Sequence, residues 1–200
     1  MADTTGPDLQ LKILDAARAG VATEGYAKLS MRQIARAVGC SVGTLYLYYE
    51  NKDALYAALV DEAVVYLVDS YRLADGIEDP VERLEAFCRS YVSFAMTYPE
   101  QYKVMFLDLN QDLSRAPEGY LRSRKPLIDT ADVLAEAHEQ GLLVAPRPLD
   151  GAVFVWAALH GVLSLIMARR FGPDADPDRL IDLAIAHVID AFRPKAQAPG

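Results

Sequence analysis

The stretch from Leu29 to Leu55, "LSMRQIARAVGCSVGTLYLYYENKDAL", constrains this chain more than any other. It predicts two short helices joined by a tight turn. Ser30 is placed to cap the first helix, Ile34, Ala35 and Val38 form its apolar stripe, and Gly39 supplies the backbone freedom to leave it. Ser41 can cap the second helix, which runs through Thr44, Leu45, Tyr46, Tyr48 and Tyr49. The small Ala35, four residues before Gly39, leaves room for one helix to cross the other closely, as a helix-turn-helix requires.

The remainder of the chain carries apolar residues at helical spacing and no alternating run long enough to demand a strand, so the expected fold class is all-α. With 52% hydrophobic residues in 200, there is ample material for one large domain or two small ones. A long helix should start near Lys52 and carry Leu55, Leu59, Ala63, Tyr66 and Leu67. Proline and glycine then divide the chain into helices from Pro80 to about Met96, from Pro99 through Leu109, and from about Glu118 to Gln140. Two more follow, Leu149 to Phe171 and Asp178 to Phe192, for about nine in all. The expected domains are residues 1–54, residues 55–193, and a disordered tail at 194–200.

Cys40 and Cys88 lack metal-ligand spacing, the N-terminus lacks a secretory pattern, and no charge-free apolar run of transmembrane length is read; a cytoplasmic protein with no membrane partner is expected. The net charge of −8 argues against a nucleic-acid partner only if it is uniform. Residues 1–52 carry six Lys or Arg against five Asp or Glu, and the rest fourteen against twenty-three. The net negative charge therefore lies almost wholly outside the helix-turn-helix end, which helps to point that end at DNA.

On the second helix Leu45 and Tyr49 share a face and belong to a core, while Gly43, Thr44, Leu47 and Tyr48 lie toward the other. Gly43 lets backbone approach a duplex. The hydroxyls of Thr44, Tyr46 and Tyr48 are suited to phosphate oxygens or base edges, and Leu47 to a thymine methyl. A solvated face is the alternative for Thr44 and Tyr48, and a core position for Tyr46. Ser30 and Ser41 stand where helix N-termini meet phosphate, serving as caps, as contacts or as both. Arg32 is a further phosphate candidate.

Small residue, turn glycine, "GTLY", paired aromatics and a following lysine together resemble the TetR family of transcriptional regulators. The resemblance covers the first 55 to 60 residues, including a helix from Leu9 to Glu24 and the aromatic Tyr26. Cys40, Tyr49 and Asn51 depart mildly from the family pattern. The resemblance implies an N-terminal DNA-binding domain of three helices, with Lys52 as a phosphate contact, and a C-terminal helical domain for ligand binding and dimerisation. The segment "VWAALHGVLSLIMARRF" is similar to the Trp-His-Gly signature of one TetR subclass, carried by Trp156, His160 and Gly161.

Trp156 and His160 share one helical face, and Gly161 would admit a second helix. With Phe94, Tyr102 and Phe106 they are the candidate border of a pocket for a small-molecule effector, lipophilic or aromatic by its lining; ordinary core packing is the competing reading. The last two helices carry apolar stripes, Val153, Ala157, Leu163, Ile166 and Leu180, Leu183, Ala184, Val188, suited to a four-helix interface in a homodimer. The resulting expectation is a ligand-released repressor on a palindromic double-stranded DNA operator. A helical interaction protein without operator binding is the alternative, and activators and enzymes stand lower. His138, His160 and His187 are not spaced as metal ligands, and neither a phosphate loop nor a nucleophile motif occurs, so no metal, cofactor or catalysis is expected.

Overall fold

The computed structural model describes residues 7–107, 124–172 and 174–195. Among them there are nine α-helices and no strand. In order these are α1 (Pro7–Glu24), α2 (Met31–Val38), α3 (Val42–Tyr46), α4 (Lys52–Tyr71), α5 (Pro80–Thr97), α6 (Pro99–Tyr102), α7 (Lys125–Glu139), α8 (Pro148–Met167) and α9 (Pro177–Asp190). A 3₁₀ turn at Arg72–Ala74 follows α4, and a π-helical turn at Lys103–Leu107 follows α6. The expected start at Glu118, the end at Leu109 and most of the expected disordered tail lie outside the described residues.

The chain forms two compact units, one of residues 1–66 with 98–123 and the other of residues 67–97 with 124–200. This division falls inside α4, whereas the functional boundary expected from sequence stands at 54/55. In the first unit, Leu9, Ile13, Ala17 and Val21 recur every four residues along α1 and are buried. That stripe faces α2, α6 and the π turn. Leu55, Leu59 and Ala63 do the same for the first part of α4. Arg18 of α1 reaches Glu62 of α4 at 2.5 Å and Asp15 at 2.8 Å, with its side chain largely covered. The hydroxyl of Tyr56 donates to the carbonyl of Val104, at 2.6 Å, inside the π turn.

In the second unit α8 packs on α7 and α9, and α5 packs on all three. Leu84, Cys88, Phe94, Leu134, Leu159 and Ile185 fill its core. Burial there pushes the Cys88 thiol up to about 12. Gly151 marks a close approach, because a Cβ there would lie 3.0 Å from Leu134 Cδ1 and 3.1 Å from Phe192 Cε1. α8 is long and apolar enough to cross a membrane by length and composition alone, which departs from the sequence reading. Its Gly151, Ala152, Val155, Leu159 and Leu163 are buried in the unit, so that apolarity serves a core on one side.

Candidate functional site

The helix-turn-helix forms as the residues require. Ser30 caps α2 in a capping box: the Gln33 amide donates to Ser30 Oγ at 3.3 Å, and the Ser30 amide donates to Gln33 Oε1 at 2.8 Å. At the other end Gly39 adopts φ 79°, and the amides of Gly39 and Cys40 each donate to Ala35 O at 3.0 Å. Ser41 then caps α3, accepting from the Thr44 amide at 2.9 Å, and its hydroxyl also pairs with that of Thr44 at 2.8 Å.

α3 is shorter than the sequence suggests. It ends at Tyr46, and the amides of Leu47 and Tyr48 close tighter bonds to Thr44 and Leu45, three residues back. The face assignment survives the shortening, because the Tyr49 amide still donates to Leu45 O and both side chains are buried. Burial raises the Tyr49 phenol, which accepts from Gln10 Nε2. On the other side Leu47 is 84% exposed and Tyr46 50%, while Thr44 and Tyr48 are half-buried. Gly43 is exposed, and among the described residues, its chain neighbours and own helix backbone aside, only Ser41 Oγ lies within 4 Å of where a Cβ would stand. Exposed side chains of this kind beside two helix N-termini make a surface able to meet phosphate and base edges.

Arg32 is also exposed on α2. Lys52, expected at phosphate, has its ammonium on main-chain carbonyls, donating to Tyr26 O at 2.5 Å and Leu29 O at 2.8 Å.

The five residues proposed from sequence to border a pocket divide between the two units. Tyr102 and Phe106 belong to the first, with ring centroids 5.1 Å apart and Tyr102 fully buried. Phe94, Trp156 and His160 belong to the second. There Trp156 Nε1 donates to the Tyr91 hydroxyl at 3.0 Å, that hydroxyl lies 3.2 Å from His160 Nδ1, and Ser164 Oγ lies 3.3 Å from His160 Nε2. Burial lowers the His160 pKa, favouring the neutral imidazole. Sequence reasoning singled out Trp156 and His160 but missed their bonds to Tyr91, since Tyr91 stands on α5 and the other two on α8.

An open cleft of about 470 Å³ also lies within the second unit, and none of those five residues lines it. Arg72, Arg83 and Lys125 face Asp75, Asp129, Asp132 and Glu136 across it. Arg83 pairs with Glu136 and Lys125 with Asp129, while Val68, Tyr71, Phe87 and Val133 complete the lining, so charged groups outnumber apolar ones and make a poorer seat for a lipophilic molecule.

Two family patterns match this chain. Residues 13–59 match the pattern described as bacterial regulatory proteins, tetR family. Residues 84–188 match the tetracyclin repressor-like, C-terminal domain. The fatty acid metabolism regulator protein of Bacillus subtilis is 26% identical over 121 residues, covering 56% of this chain and 61% of that regulator. The chain thus aligns with about three fifths of that relative's length. Among solved structures, the fatty acid degradation regulator FadR from Bacillus halodurans superposes with a TM-score of 0.75 at 22% identity, over 92% of this chain and 96% of that one. FadR from Bacillus subtilis, in complex with stearoyl-CoA, gives 0.75 at 18% identity, over 92% and 99%. At those identities the two structures speak for the fold. With its capped reading helix and a family match that extends over residues 84–188, this chain belongs to the TetR family of bacterial transcriptional regulators.

Proposed function

We propose that the chain is a ligand-released repressor that binds a palindromic DNA operator as a homodimer in the cytoplasm. The observation that carries this reading is the split of α3 and the turn after it. Leu45 and Tyr49 are buried while Tyr46 and Leu47 stand exposed beside two capped helix N-termini. An exposed leucine between two tyrosines is a poor solvent surface and a good one for methyl and phosphate groups. Ser30, Arg32, Ser41, Gly43, Thr44, Tyr46, Leu47 and Tyr48 are the proposed contact set, with no arginine placed for a bidentate guanine contact on α3 itself. DNA shape therefore carries part of the specificity.

The dimer reading is supported by an exposed apolar stripe on α8, formed by Val153, Ala157, Gly161 and Leu165, together with exposed Leu183 on α9. Apart from its chain neighbours and its own helix backbone, no described atom lies within 4 Å of a Cβ built at Gly161. Leu163 and Val188, assigned to this interface from sequence, are buried in their own subunit. Val153 and Ala157 keep their assigned place, and the stripe continues through Gly161 and Leu165 on a face that small residues leave open to a second helix. Two copies paired there would carry two reading heads, spaced for half-sites about one turn of DNA apart.

The effector is proposed to be a lipophilic small molecule bordered within the second unit by Phe94, Trp156 and His160, and a fatty acyl thioester is the class to try first. Support comes from this aromatic set and from the stearoyl-CoA held by the Bacillus subtilis FadR structure. The effector acts by preferring the dimer conformer with the wrong head separation, with α4 as the covalent link. A tenfold preference is about 1.4 kcal/mol, enough to shift a complex near its midpoint.

The test is selection of bound duplexes from a random pool by the purified protein and by Tyr48→Ala, followed by release assays with stearoyl-CoA and free stearate. A shared palindrome recovered by the wild type and lost by the variant supports the reading. Recovery of no common sequence by folded protein at low salt contradicts it and favours the interaction-protein alternative.

A further inference from the structure

The first turn of α4 does something that a phosphate contact does not require. Lys52 is not extended into solvent. It is half-buried, with two of the three ammonium protons aimed at the carbonyls of Tyr26 and Leu29, at 2.5 and 2.8 Å. The ring of Tyr26 covers the ammonium at 4.0 Å from its centroid. That ring is itself held twice. It packs T-shaped on Tyr56, with ring centroids 4.7 Å apart at 67°, and its hydroxyl bonds the carboxylate of Asp53, the residue after Lys52. Thus α4 grips the α1–α2 turn through main chain and side chain at once.

What the grip holds is the approach to the reading head. The turn leaves α1 through Gly25 at φ 80° and ends at buried Leu29, whose side chain lies against Gly20. The next residue is Ser30, the cap of α2. Both carbonyls that Lys52 holds therefore lie within four residues of the cap, and the second belongs to the residue before it. Charge-assisted bonds of this kind are stronger than neutral ones and fix geometry as well as energy.

We infer that Lys52 is a positioning residue. Its ammonium, seated on the Tyr26 and Leu29 carbonyls under the Tyr26 ring, fixes how the α1–α2 turn delivers Ser30 and α2 to DNA, and Asp53 locks that seat through the Tyr26 hydroxyl. This rests on the operator-binding reading for its consequence but not for the seat itself. It also separates two roles that a lysine at this position confounds. A phosphate contact works through charge, and its loss lowers the salt dependence of binding. A positioning residue works through the backbone, and its loss weakens specific binding equally at every salt concentration.

The experiment has two arms on the full chain. In the first, hydrogen exchange is followed in the free protein for Lys52→Met and Tyr26→Leu against wild type. Both variants are expected to lose about tenfold of protection over residues 26–33, with α8 unchanged. In the second, affinity for the selected duplex and for an unrelated one is measured between about 50 and 200 mM salt. Lys52→Met is expected to lose about tenfold on the selected duplex, with a parallel salt slope and unchanged binding to the unrelated one. Unchanged exchange at 26–33 overturns the inference. So does a salt slope reduced by about 0.9, the signature of one lost phosphate contact, or an equal loss on both duplexes, the signature of a merely structural role. If Lys52→Met does not fold, Tyr26→Leu, which keeps the ammonium and every charge, decides by the same readouts. If the wild type selects no duplex, the operator reading fails while the exchange arm still decides whether the seat holds the turn.

Discussion

The reading head and the face of α8 use their polar side chains in opposite ways. In the head, Ser30 bonds Gln33 and Ser41 bonds Thr44, each three residues away along the chain. On α8, Trp156 and His160 both converge on Tyr91, 65 and 69 residues away. The first arrangement completes helix termini and frees an outer face. The second ties one helix to another and places a titratable ring among neutral hydroxyls. A surface built to meet a fixed partner such as DNA depends on rigid local caps, whereas a unit built to respond to a ligand depends on bonds that helix movement can break.

The largest expected effect lies on the long-range side of that comparison. Tyr91→Phe removes the oxygen shared by Trp156 and His160 inside the second unit, and should lower stability by about 1–3 kcal/mol. Thermal unfolding measures the loss, and exchange should place it in α5 and α8 and not in residues 30–49. A loss spread over both regions would break the comparison. Ser41→Ala should cost about 1 kcal/mol. Its effect should be confined to α3, read as faster exchange of the amides at 42–46 with α8 untouched.

The smallest effect concerns pH. The His160 pKa is lowered in the folded protein by burial, from an ordinary value of 6.5. The unfolded chain therefore takes up a proton first as pH falls. This contribution to stability is fully present above 6.5 and is lost as pH drops from there through the lower folded value. His160→Gln should flatten that part of the stability profile. A profile unchanged between the two proteins would remove His160 from the account.

The same contrast explains what the sequence discloses. Caps, turn glycines and apolar stripes depend on spacings of three and four, so Ser30, Gly39, Ser41, Leu45 and Tyr49 are all assignable by eye, and so are the long helices. The end of α3 is not, because its last turn tightens to three-residue bonds that the residues Leu47 and Tyr48 do not advertise. The role of Lys52 is hidden for a different reason. Its partners are main-chain carbonyls 23 and 26 residues away, which carry no residue signature. The same holds for the stripe proposed for a dimer, where Leu163 and Val188 are indistinguishable in composition from their exposed neighbours and only packing separates them.

One measurement tests the central claim that the outer face of α3 and its following turn meets DNA. Leu47, 84% exposed in the head, and Leu73, 75% exposed in the second unit, are each changed to aspartate, so that both proteins carry the same net charge and melt like the wild type. Affinity for the selected duplex is then measured by fluorescence anisotropy. The account predicts a loss of about tenfold to hundredfold for Leu47→Asp and wild-type binding for Leu73→Asp. Wild-type affinity in Leu47→Asp, or an equal loss in both, would contradict it.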